Sequence, residues 1–62
     1  PLSPHEREEA AKDQLARARA AIEQGDLSAA QSALDEAAAL DPTNPDIEAL
    51  RAEVAGKAND DG

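Results

Sequence analysis

Residues 24–44 read Gln24-Gly25-Asp26-Leu27-Ser28-Ala29-Ala30-Gln31-Ser32-Ala33-Leu34-Asp35-Glu36-Ala37-Ala38-Ala39-Leu40-Asp41-Pro42-Thr43-Asn44, and this stretch decides the fold. Gly25 supplies the left-handed backbone that ends a helix, and Asp26 beside it can cap the next one. Leu27, Ala30, Leu34 and Ala37 then recur at intervals of three and four, with Ala33 and Leu40 widening the stripe to a full core face. Pro42 disfavours helical geometry at Asp41 and stops this helix. Asn44 followed by Pro45 repeats a cap-then-proline start signal. The stretch is therefore one complete helix with a turn at each end.

Working outward, Ser3-Pro4-His5-Glu6 combines an N-cap serine, a proline at the first helical position and a glutamate able to close a capping box. A first helix is expected over 4–24, with Ala11, Leu15, Ala18 and Ile22 as its apolar stripe. Glu8 with Lys12 and Asp13 with Arg17 lie four residues apart, acid first, the favourable order along the macrodipole. The second helix is expected over 27–40. The third is expected over 45–56, lined by Ile47, Leu50 and Val54. Gly56-Lys57-Ala58-Asn59-Asp60-Asp61-Gly62 reads as a fraying polar end, with residues 59–62 as a disordered tail.

Composition agrees with an all-α chain of three helices. Its 62 residues include sixteen alanines and many Glu, Gln, Arg and Leu, with no Phe, Tyr, Trp, Cys or Met. At this length a single core is only just sufficient. The absence of cysteine excludes disulfides and thiolate metal sites and leaves the compartment open. Fourteen acids against six bases leave a net charge of −8, so nucleic acid and anionic membrane surfaces are not expected partners. No apolar run approaches the roughly 20 residues of a membrane span. Starting at Pro1 without methionine, the chain reads as a piece of a longer protein.

These spacings resemble a tetratricopeptide repeat. In the register set by Pro42, one 34-residue unit spans 11–44, and the small-residue positions of that family fall on Ala18, Ala30 and Ala37. Gly25, Asp26, Leu34, Leu40, Asp41, Pro42 and Asn44 also agree with the pattern. The resemblance implies an antiparallel helical hairpin with residues 45–56 as a third, capping helix, all within one domain over 1–58. The sequence departs from the family at Gln14, Arg17 and Ala21, where aromatic or aliphatic residues are usual. Either Leu15 and Ile22 build the hairpin core instead, or the first helix meets another copy or domain there. An unrelated three-helix bundle is the alternative fold, because alanine-rich hairpins recur by convergence.

The resemblance further implies a non-catalytic protein-interaction module that recognises a peptide or helix of a partner. Its concave side would carry Lys12, Leu15, Arg19, Ile22 and Glu23 from the first helix and Glu53 from the third. The alternative is a structural element that docks within its own longer chain or self-associates as a homodimer. Enzyme chemistry finds little support. His5, the single histidine, falls in a first helical turn with no Ser or Cys placed for it to activate. Neighbouring acids such as Glu8 with Glu9 and Asp35 with Glu36 point different ways on a helix. Asp41, Thr43 and Asn44 lack the glycine of a calcium loop, and Pro42 and Pro45 interrupt it. No metal or other cofactor is expected.

Overall fold

The computed structural model describes residues 2–59 as three helices, α1 (Pro4–Glu23), α2 (Leu27–Leu40) and α3 (Pro45–Asn59). The all-α expectation holds, and no strand occurs among the described residues. α3 continues through Gly56 to Asn59, three residues beyond its expected end. A glycine without a steric or φ requirement lowers helix propensity by only about 1 kcal/mol, which does not stop a helix already capped and packed at its start. Asn59 is thus helical, and the remainder of the expected tail, 60–62, lies outside the described residues.

Each helix begins where its capping chemistry places it. Ser3 accepts from the Glu6 backbone N–H at 3.3 Å, while its own N–H donates to Glu6 Oε1 at 3.1 Å, closing the capping box of α1. The donated bonds, that from the Ser3 backbone above all, hold the exposed Glu6 carboxyl below its ordinary value. At the other end Gly25, at φ +78°, is the one described residue with positive φ. Its N–H donates to Ile22 O at 3.0 Å and that of Asp26 to Ala21 O at 2.9 Å, the paired bonds that satisfy the last carbonyls of α1. Asp26 Oδ1 then accepts from the Ala29 N–H at 3.1 Å and opens α2. At the second turn, Asn44 Oδ1 accepts from the Asp46 N–H at 2.9 Å and opens α3.

The core draws Ala11, Leu15, Ala18, Ala21 and Ile22 from α1, Ala30, Ala33, Leu34 and Ala37 from α2, and Ile47, Leu50 and Val54 from α3. Ala11, Ala18, Ala30 and Ala37 are wholly buried. Side chains this short let α1 and α2 approach closely, and these two helices share the most extensive interface. α3 closes the other side with three larger residues. No polar or charged side chain is buried among the described residues, so the interior carries no desolvated charge to be compensated.

Leu15 and Ile22 help build the hairpin core. Both lie in the core, at 2% and 4% exposure. Of the three departures, Ala21 is buried, Gln14 half-buried and Arg17 exposed. Gln14 and Arg17 border a shallow groove shared with Ala29, Ala33 and Glu36 of α2, on the flank away from α3. Shorter or polar side chains leave a furrow there.

Candidate functional site

Two charged contacts join α3 to the hairpin. Arg19 of α1 reaches Asp46 at 3.7 Å, and Asp35 of α2 reaches Arg51 at 3.2 Å. Their polarity alternates: α3 offers an acid to α1 and a base to α2. Arg19, Asp46 and Asp35 are exposed and Arg51 is half-buried, so each pair contributes about 1 kcal/mol or less and acts mainly on orientation. Neither pair is legible from local spacing, because both join residues that only the tertiary fold brings together.

The expected surface residues separate into two groups. Lys12, Arg19 and Glu23 are exposed on α1, along the edge that borders α3. Glu53 is exposed on α3, two turns from Asp46 and therefore on the same side of that helix. Leu15 and Ile22 do not belong to this surface. Both belong to the one buried cluster that also takes Ala30 and Leu34 from α2 and Ile47, Leu50 and Val54 from α3. What remains is a charged seam between α1 and α3, with bases at Lys12 and Arg19 and acids at Glu23 and Glu53.

Along that seam Lys12 lies 3.2 Å from Glu9 and 3.8 Å from Glu8. The hydrogen bond to Glu9 and the charges of Glu9 and Glu8 raise its pKa. The Glu8–Lys12 spacing therefore forms the expected pair, whereas Asp13 and Arg17 form none within 4.0 Å among the described residues. Glu23 reaches the end of the seam, where Gly25 and Leu27 face Lys57 and Ala58 across an open hollow of about 790 Å³. Acid, base and half-buried leucine meet there. His5 is exposed in the first turn of α1. Among the described residues no three His, Cys, Asp or Glu side chains are grouped to hold a metal ion, and no helix is long and apolar enough to cross a membrane.

A family model described as tetratricopeptide repeat matches residues 9–54, most of the chain, including all of α2 and the loop that follows it. No curated protein and no solved structure matches the chain.

Proposed function

The chain belongs to the tetratricopeptide repeat family, and from that premise we propose that it is a non-catalytic module recognising a peptide or helix of another protein. Repeats of this kind generally serve protein–protein interaction and are typically non-catalytic. The observation that carries the finer reading is the charged seam beside α3. Lys12, Arg19 and Glu23 stand exposed along one helix and Glu53 on its neighbour, so a partner meets a pattern of charge set by the helices. A preorganised surface spares much of the ordering cost of association.

A double exchange of Lys12→Glu with Glu23→Lys tests this. It keeps the net charge at −8 and leaves both ion pairs to α3 in place, so any change reports on local pattern. A protein retained by the native chain is purified and its affinity measured by calorimetry. Loss of about tenfold or more in the exchanged variant supports the seam. Equal affinity for both chains rejects it.

A second reading, docking within a larger protein, draws on the opposite flank. The furrow between α1 and α2 is edged by Ala29 and Ala33 as well as by Arg17 and Glu36. A helix laid there would contact both elements of the hairpin at once. Charge reversal at Arg17, tested in the same calorimetric format, separates that flank from the seam.

A further inference from the structure

The face formed by Leu15, Ile22 and Leu34 is occupied by a segment with the features of a ligand. α3 inserts Ile47, Leu50 and Val54, its three buried residues, spaced at intervals of three and four. It is held less extensively than α1 and α2 hold each other. Its cap is its own: Asn44 Oδ1 bonds the Asp46 N–H, and Asn44 O accepts from Ile47 N–H at 3.2 Å. The preceding turn is closed by local bonds as well, Asn44 N–H to Asp41 O at 3.2 Å and Thr43 Oγ1 to Asp41 Oδ1 at 3.0 Å. Leaving the hairpin therefore breaks no cap of α3. Its two ion pairs add a polarity that an apolar groove alone lacks, an acid toward Arg19 and a base toward Asp35.

We propose that α3 is an exchangeable occupant of this face, and that the partner is an amphipathic helix of another protein with the same pattern: an acid, an apolar residue next to it, a second apolar residue three further on followed by a base, and a third apolar residue four beyond the second. In this chain the pattern is Asp46, Ile47, Leu50, Arg51 and Val54. Charge complementarity selects the occupant. Arg19 favours an acid at the leading end and Asp35 a base in the middle, so a reversed or wholly acidic helix fits less well. A second copy of the chain is disfavoured as occupant by the mutual repulsion of two bodies carrying −8 each. The proposal rests on the protein-interaction reading but places the partner on the face that α3 covers, beneath the seam.

The test uses the whole chain and a fluorescein-labelled peptide of residues 45–59 as the probe, in native form and with Asp46→Arg. Attachment gives the chain's own α3 a high effective concentration, so the native peptide competes weakly and titration extends to millimolar. The expected result is that the native chain prefers the native peptide by about two- to fivefold, the scale of an exposed pair. A chain carrying Arg19→Asp reverses that preference. Amides of the chain's own residues 47–54 lose hydrogen-exchange protection as peptide is added. If Arg19→Asp fails to fold by circular dichroism, the preference of the native chain and its exchange pattern decide alone. Binding without charge preference, binding that leaves α3 protected, or no binding at millimolar peptide overturns the proposal. So does a concentration-dependent dimer by sedimentation, which makes a second copy the occupant. A partner bound at Lys12 and Glu23 with α3 still protected overturns the exchange and leaves the interaction reading standing.

Discussion

The backbone N–H of Asp26 donates to the carbonyl of Ala21 across 2.9 Å. The Asp26 carboxylate accepts from Ala29 at the same time, so one residue closes α1 and opens α2. The chain can reverse within the three residues between the helices because Gly25 takes φ +78° among them.

A Cβ added at Gly25 would meet nothing within 4 Å. The cost of Gly25→Ala is therefore conformational, about 1–2 kcal/mol for an L-residue held in the left-handed region. Gly25→Asn is expected to cost less, because asparagine tolerates that region. Denaturant unfolding of both variants checks the order. Equal stability of Gly25→Ala and the native chain would show that the turn does not require this geometry.

Ala30 is wholly buried, whereas its neighbour Ala29 is exposed. Ala30→Leu forces the close-packed helices apart and should cost about 1–3 kcal/mol. In a domain of this size each 1 kcal/mol lowers the melting temperature by about 4–8 °C. Ala29→Leu, placed in the open furrow, should leave it nearly unchanged. Thermal melts of the two variants make the comparison, and equal tolerance would remove the packing argument.

Acid should loosen the start of α1. Glu6 has a lowered pKa in the folded chain, its ordinary value being 4.5. The capping box is therefore fully formed above that unfolded value and is lost as pH falls through the lower, folded one. The Ser3 amide shift should follow this titration. Glu6→Gln, which can still close the box, should abolish the pH dependence while keeping the helix. A Glu6 midpoint at or above 4.5 would contradict the box.

Leu15→Ala should act on folding before it acts on binding. Truncating a buried leucine costs about 2–5 kcal/mol, a large share of the roughly 3–9 kcal/mol expected for a domain of this length. Circular dichroism at 25 °C should show marked loss of helix. A folded variant with reduced partner affinity would restore Leu15 to the surface.

Local chemistry made most of the fold legible. Ser3, Gly25, Asp26, Asn44 and the prolines mark where helices start and stop, because caps and turns depend on residues within a few positions of one another. The alanine spacing at 18, 30 and 37 was readable for a similar reason: helix-on-helix contact needs short side chains at a fixed periodicity. The candidate surface was legible only in part. Lys12, Arg19, Glu23 and Glu53 are polar and lie outside, but Leu15 and Ile22 carry the same periodic signal whether the covering element is a partner or α3. Which one covers them depends on how α3 folds back after Pro45. The pairs Arg19–Asp46 and Asp35–Arg51 were hidden for the same reason.

The burial of Leu15 and Ile22 in the three-helix core is tested most directly by methyl relaxation in the presence of a soluble paramagnetic probe. Enhancements at these two residues should be as small as at Leu34, and far below that at Leu2, which is 50% exposed. Enhancement at Leu15 and Ile22 comparable to Leu2 would contradict it, because the apolar face would then be open with α3 undocked.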